Sequence, residues 1–385
     1  MRYYCTYFDS NYLLKGVALY QSLDEHSHEP FILWVLCFDD RTYQILYEMA
    51  LPKMRLIAQK DFEFEDEELL QAKQNRTTVE YYWTCTPSLP LFIFKHNPHI
   101  DLIIYLDADL YFFSDPTPIF DELGSGSILL VGHRFPPELS YKEPYGIYNV
   151  SMLCFRRDQN GLAALYWWRE QCNEWCFMRL ENGKYGDQKY LDDWPTRFEN
   201  VVVLQHKGAG LAAWNLAGYT TSIQGKQVFV DDDPLIFYHF HLFKMLTDHI
   251  FILGADLYLQ SFDYKVLNYQ HIKYLFTPYA QKIRKIGEKI RGHRSDYRNL
   301  HEKTSLLQFL IGLSKGRYFL AYDNIIAHLM ASIDLWLGGG ILLACKGFRL
   351  YEKGNRRGAL KALVAAACRS PSILFNPMFW RVVKH

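Results

Sequence analysis

Two short and nearly continuous apolar runs open the chain, YYCTYF at residues 3–8 and FILWVLCF at residues 31–38. Runs of this length and character predict buried strands. Between them, Asn11 to Ser22 places Leu14, Val17, Ala18 and Leu19 at helical spacing. A polar helix-like stretch follows, DEELLQAKQ, and then an aromatic-rich segment, VEYYWTCTPSLPLFIF. DLIIYLDADLYFF is the strongest strand pattern in the chain, with GSILLVG and IYNVSMLCF as further strands. LAALYWWREQCNEWC reads as a helix. Strands alternating with helices predict an α/β fold with a mostly parallel central sheet flanked by helices. In such folds ligands gather at the carboxyl ends of the strands, so candidate chemistry is sought there.

From about Phe262 the character changes. YAQKIRKIGEKIRGHRSDYRNLHEK has helical spacing, and between Tyr279 and Lys303 it carries 8 basic against 3 acidic residues. The expected division is therefore 1–262 as a catalytic domain and 263–385 as a helical, basic C-terminal region. Charge sharpens this picture. Lys plus Arg and Asp plus Glu are both 42, but the balance hides an asymmetry. From Lys265 onward there are 21 basic and 6 acidic residues, and before it 21 basic and 36 acidic. An acidic body with a basic tail points to an anionic membrane surface, or to the tail packing on the body itself. Basic positions that would meet lipid include Arg284, Lys285, Lys289, Arg291, Arg356 and Arg357. No reader motif accompanies the charge, which sets nucleic acid aside as a partner. The longest apolar stretch, Ile325 to Cys345, is interrupted by His328, Asp334 and three glycines, so no spanning helix is expected.

The opening MRYYCTYFD has no basic segment followed by an apolar one, as a secretion signal would. The expectation is a cytoplasmic protein, peripheral on the membrane's cytoplasmic face if the tail binds lipid, with its eight cysteines reduced. Cys172 and Cys176 share a helix face, but no second pair completes a zinc set. Aromatic residues reach 16%, enough to fill a core and also to offer ring faces to sugars.

Four groups of residues carry candidate chemistry. Asp107-Ala108-Asp109 closes an apolar strand, and two carboxylates around one small residue there can both reach one hard divalent cation. Their simpler reading is a pair of strand-end charges. His239 and His241 follow a strand-like run with i, i+2 spacing, as metal ligands or as histidines bonded to backbone. Imidazole with carboxylates suits manganese better than magnesium. Asp187-Gln188 enters a helix-like stretch after a glycine-marked turn, where Asp187 is otherwise a plain helix cap. Asn149 stands just before a buried strand.

Together these segments resemble the family 8 glycosyltransferases and their relatives of the GT-A fold, a Rossmann-like architecture, over about residues 1–250. The group contains bacterial lipooligosaccharide galactosyltransferases and glycogenin. DSNYLLKGVALYQSLDEH resembles the family's first β–α unit, which implies that Asp9, Asn11, Tyr12 and Tyr7 hold the nucleotide base and ribose. NRTTVEYYW resembles its Arg-containing segment, implying a donor contact for Arg76. YLDADLYFF resembles the metal motif, with Asp107 and Asp109 as ligands and Asp107 also facing the donor. IYNVSMLCF implies a sugar-hydroxyl contact for Asn149, and YGDQKYL implies Asp187 and Gln188 at the reacting carbon. YHFHLFK gives His239 as third metal ligand and Lys244 as a diphosphate contact. Lys244 lies five residues after His239 where the family has six, and the motif's glycine is absent, so His241 takes over part of that role. GAGLAAWNLAGY, with Trp214 and Asn215, reads as a loop lining the sugar and acceptor cleft, or as a packed Trp after a loop.

The resemblance implies a manganese- or magnesium-dependent transferase moving a hexose from a nucleoside-diphosphate sugar, UDP-linked, to a hydroxyl of a glycan or lipid-linked acceptor, with retention of configuration. A divalent cation would neutralise the diphosphate leaving group, and sugar-contacting groups would position the anomeric carbon. If the enzyme inverts, Asp187 is the first candidate for the base. Competing readings are a non-catalytic sugar- or lipid-binding protein on the same scaffold and a self-glycosylating enzyme like glycogenin. A nucleotidyltransferase is demoted because YFDSNYLLKG lacks a glycine-rich, arginine-containing loop.

Overall fold

A computed structural model of the 385-residue chain describes residues 1–245, 250–254, 258, 271–294 and 318–320. The chain divides into two compact units, Met1–Asp248 with Ile252–Glu302, and His249–Phe251 with Lys303–His385. Within the second unit the strand Tyr318–Leu320 is described. The expected basic tail from Lys346 to His385, including Arg356 and Arg357, and the apolar stretch from Ile325 to Cys345 lie outside the described residues.

The first unit is built on a seven-stranded sheet. In chain order its elements are β1 (Arg2–Phe8), α1 (Leu13–His26), β2 (Phe31–Cys37), α2 (Asp40–Met49), β3 (Met54–Ala58), α3 (Gln59–Phe64) and α4 (Glu67–Lys73). There follow α5 (Thr78–His96), β4 (Leu102–Leu106), β5 (Leu110–Phe112), α6 (Thr117–Leu123), β6 (Ile128–Gly132), β7 (Tyr148–Arg156), α7 (Gln159–Glu174), α8 (Trp194–Arg197) and β8 (Val201–Val203). The strand order is β3-β2-β1-β4-β7-β6-β8. β7 pairs antiparallel with both β4 and β6, while the other pairings are parallel. The predicted mostly parallel α/β architecture is therefore present.

Strands buried on both faces explain the continuous apolar runs. On one face, Cys5, Leu36, Tyr105, Leu153 and Phe155 pack with Tyr81, Cys85, Leu89 and Ile93 of α5 and with Leu165 and Trp168 of α7. On the other, α1 packs against β1 and the neighbouring β5. Gly16 in α1 permits this close seating, because a Cβ built there would meet the Phe8 ring at 2.2 Å. The segment read only as aromatic-rich is the 19-residue helix α5. Its start is fixed by a capping box, with the Thr77 and Glu80 side chains each bonded to the other's backbone N–H. It continues through Pro87 and Pro90, each of which removes one backbone donor, because eleven of its residues are buried.

A second, three-stranded sheet joins β5 to β9 (Ala209–Ala212) and to a strand at Phe237–His239. The glycine-rich stretch read as a loop thus contributes a strand, in which Gly210 at φ 89° forms a bulge and Asn215 closes the turn behind it. The helix Thr277–His293 belongs to the first unit and packs on α1. Its Lys282 pairs with Glu25 and, just past its end, Arg294 with Glu48 at 3.3 Å. That part of the basic region lies against the acidic body. Among the described residues no helix is long and apolar enough to cross a membrane.

Candidate active site

The sheet order makes its turn of direction at β1 and β4. The chain moves outward from β1 to β2 and β3, then returns to place β4 on β1's other side. A crevice opens where such neighbouring connections diverge, at the strands' carboxyl ends. Asp9 follows β1 and Asp107 follows β4, so both lie at this crevice.

At the end of β4, the Asp107 N–H donates to the Ser151 carbonyl at 2.8 Å, and its carbonyl accepts from Leu110 at 3.2 Å, turning the chain into β5. The antiparallel pairing of Phe237–His239 with β5 sets His239 opposite Leu110. This register brings the His239 ring to the carboxylates. Its Nε2 lies 3.1 Å from Asp109 Oδ1 and 3.8 Å from Asp107 Oδ2. One ligating atom from each of Asp107, Asp109 and His239 falls within 4.8 Å of the others. Two side chains enter from outside the set: the Tyr105 hydroxyl donates to Asp107 Oδ1 at 2.9 Å, and Lys15 Nζ stands 3.6 Å from Asp109 Oδ2.

The cluster's electrostatics follow from burial and charge. Burial pushes the Asp107 pKa up, His239 pulls it back, and Asp109 raises it further. Burial would raise Asp109 too, but His239 and then Lys15 hold it below the usual carboxylate range. For His239, burial opposes the charged ring, yet Asp109 lifts its pKa above the ordinary value. Two close carboxylates in a buried site need a positive partner. An imidazole and two carboxylates converging this way fit a divalent cation, and these three residues would hold it.

Asp187 is buried where α5 meets α7. Thr86 Oγ1 donates to its Oδ2 at 2.9 Å, the Tyr7 hydroxyl bonds Thr86 at 3.0 Å, and Trp168 Nε1 donates to its backbone carbonyl at 2.9 Å. Burial pushes the Asp187 pKa up to about 7, with Thr86 opposing and the charge of Asp107 adding to the rise. Gln188 donates to the Tyr145 carbonyl at 2.8 Å and keeps partial exposure. Asp9 forms an Asx turn, accepting from Asn11 N–H and Nδ2 at 2.9 Å each, and Tyr82 donates to it at 3.2 Å. Tyr12 is 40% exposed, and Lys15 Nζ lies 4.1 Å from its ring centroid.

Asn149 is fixed on both sides, its Oδ1 accepting from Ser151 N–H at 2.8 Å and its Nδ2 lying 2.9 Å from His133 Nε2. His133 is driven down to about 3 by burial and then by His239 and His241, so it is a neutral acceptor for that amide. The Trp214 ring stands edge-on to His239, His241 and His133 at 5.1, 5.7 and 5.3 Å between centroids. Burial and the neighbouring His239 lower His241 to about 4.

Three expected residues stand elsewhere. Arg76 Nη2 donates to the carbonyls of Cys172, Asn173 and Glu174 at 3.4, 3.2 and 3.3 Å, and its guanidinium covers Phe177. It caps the end of α7, where unpaired carbonyls attract cations. Asn215, expected in the cleft, is fully buried and spends its whole amide on Ala212, His133 and Gly210. Lys244 is solvent-exposed on a two-residue strand. Cys176 also departs from its reading, lying past the end of α7 instead of on it. Sequence reading missed Lys15, Tyr105, Thr86 and His133. Only Lys15 left a signal, as the sole charge between Ser10 and Leu23.

No protein-family model matches the chain. The uncharacterized protein YfnD of Bacillus subtilis strain 168 is 31% identical over 298 residues, covering 77% of this chain and 93% of that protein. The chain belongs to the YfnD family. The uncharacterized protein YfnF of the same organism is 33% identical over 252 residues, 63% of this chain and 82% of its own length. Among solved structures, the galactosyltransferase LgtC in complex with donor and acceptor sugar analogues covers 62% of this chain and 86% of its own, with 16% identity and a TM-score of 0.43. Mouse xyloside xylosyltransferase 1 covers 63% and 98%, with 14% identity and a TM-score of 0.40.

Proposed function

We propose that this protein is a GT-A type, metal-dependent glycosyltransferase that moves a hexose from a nucleoside-diphosphate sugar, UDP-linked, to a hydroxyl of a glycan or lipid-linked acceptor. The observation that carries the reading is the convergence of Asp107, Asp109 and His239 at the carboxyl end of β4, beside the end of β1. A bound divalent cation would supply Lewis-acid neutralisation of the diphosphate leaving group. Asp107, Asp109 and His239 would hold it, with manganese suited to the donor set.

The remaining roles belong to the chain's own side chains. Asp9 and Asn11, locked in their turn by Tyr82, offer a preformed edge for the base and ribose at the end of β1. Asn149 keeps one amide hydrogen beyond its bond to His133 and can present it to a sugar hydroxyl. Gln188, anchored through its amide nitrogen on Tyr145, leaves its oxygen for the reacting face. Asp187, poised near neutrality and held by Thr86, binds sugar hydroxyls or stabilises positive charge as the glycosidic bond lengthens. Retention of configuration is part of the proposal and rests on the family 8 resemblance, as does a lipid-linked acceptor.

The test is a thermal-shift titration with UDP, GDP and their common sugar conjugates, with and without manganese. Ligand at about 100 times its Kd adds roughly 2.7 kcal/mol of stability. A manganese-dependent shift with one nucleotide, abolished in Asp109→Asn with the circular dichroism unchanged, is the expected result. No shift with any nucleotide sinks the proposal.

A further inference from the structure

Lys15 lies in the first turn of α1, a helix whose buried face includes Leu13, Gly16 and Val17. Its ammonium is 3.6 Å from Asp109 Oδ2, on the oxygen not used by His239, and only 13% of the side chain is exposed. The Tyr12 ring backs the same nitrogen at 4.1 Å. All four carboxylate oxygens thus have a neighbour: Tyr105 and His239 at Asp107, His239 and Lys15 at Asp109. Lys15 is one of the positive groups balancing this carboxylate pair in the structure described.

Charge accounting then gives Lys15 two situations. Two carboxylates are neutralised in full by one divalent cation. With that cation held, the charge of Lys15 is surplus at the mouth of the site, and repulsion between like charges opposes its staying on Asp109. An ammonium freed from a carboxylate, with a flexible stem and an aromatic face behind it, is suited to phosphate oxygens.

We propose that Lys15 competes with the divalent cation for Asp109 and, once displaced, pairs with a diphosphate oxygen of the donor. This rests on the donor-site reading above. It assigns to the first turn of α1 the phosphate contact that the exposed Lys244 was expected to make.

Calorimetric titration tests it without turnover. Wild type, Lys15→Gln and Lys15→Arg are each titrated with manganese alone, then with inorganic pyrophosphate at saturating manganese. Removing the competing ammonium should tighten manganese binding roughly three- to tenfold. Loss of a charged phosphate contact should weaken pyrophosphate binding by about tenfold or more, with Lys15→Arg retaining most of it. The opposite signs are the signature, since a side chain that merely supports the pocket would weaken both. Weakening of both ligands, or no change in either, overturns the proposal while the donor reading stands. Wild-type protein that binds manganese but neither pyrophosphate nor UDP overturns the donor reading and the phosphate role of Lys15 together.

Discussion

Replacing Asp187 by Asn removes a carboxyl whose environment favours its neutral form. The residue is 6% exposed, and burial with the nearby charge of Asp107 moves its pKa from an ordinary 3.8 to about 7. Between those values the folded chain holds a proton that the unfolded chain has released. Stability from this group is therefore full below about pH 4, falls as pH rises, and is lost once pH passes about 7. At 1.36 kcal/mol per pH unit the full difference is on the order of 4 kcal/mol, and relaxation around the charge makes that an upper bound. Asn keeps the shape and an acceptor for Thr86 but cannot ionise. Asp187→Asn should match wild type near pH 4, already exceed it by about 1–2 kcal/mol at pH 5, and exceed it by roughly 2–4 kcal/mol at pH 8. Urea unfolding at pH 5, 6, 7 and 8, followed by tryptophan fluorescence, measures the gap, and Trp168 sits on the Asp187 carbonyl as a local reporter. Subtracting mutant from wild type cancels the other titrating groups. A gap that stays constant across this range would refute the reasoning, since Asp187 would then ionise near its ordinary value.

Other substitutions separate neighbouring roles. Gln188→Ala should lower kcat by on the order of tenfold or more while changing the donor Kd less than about threefold; equal losses in steady-state and binding measurements would make it a binding residue. Arg76→Gln should cost about 1–2 kcal/mol in unfolding experiments, through the exposed end of α7, with UDP affinity unchanged by titration. Gly161→Ala, whose Cβ would fall 2.1 Å from the Arg156 carbonyl oxygen, should destabilise by about 1–3 kcal/mol or more in a urea melt.

Much of the fold was legible because the sheet is covered on both faces, which writes strands as unbroken apolar runs. The same rule marked the Asp107, Asp109 and His239 cluster. Asp107 and Asp109 interrupt such a run, and His239 ends another. What stayed hidden depends on contacts between distant segments. Thr86 is one small polar residue in an apolar helix, and nothing local says that Asp187, 101 positions later, will meet it. Arg76 looks like a ligand contact in any linear reading; only the packing of α5 on α7 turns it into a cap. Asn215 likewise reads as a polar side chain in a loop until its three partners are seen.

The glycine beneath α1 acts as a clearance gauge for the carboxylate cluster. With Phe8 filling the space where a Cβ at position 16 would go, the helix rides at the smallest separation from β1 that its backbone allows. Tyr12 and Lys15 are carried on that same turn, so their distance from Asp109 is set by a contact one position along the helix. A single methyl group at position 16 would act as a shim, lifting both together without altering either side chain. The reach of the ammonium is thus machined into the packing of the helix, away from the surface where a ligand arrives.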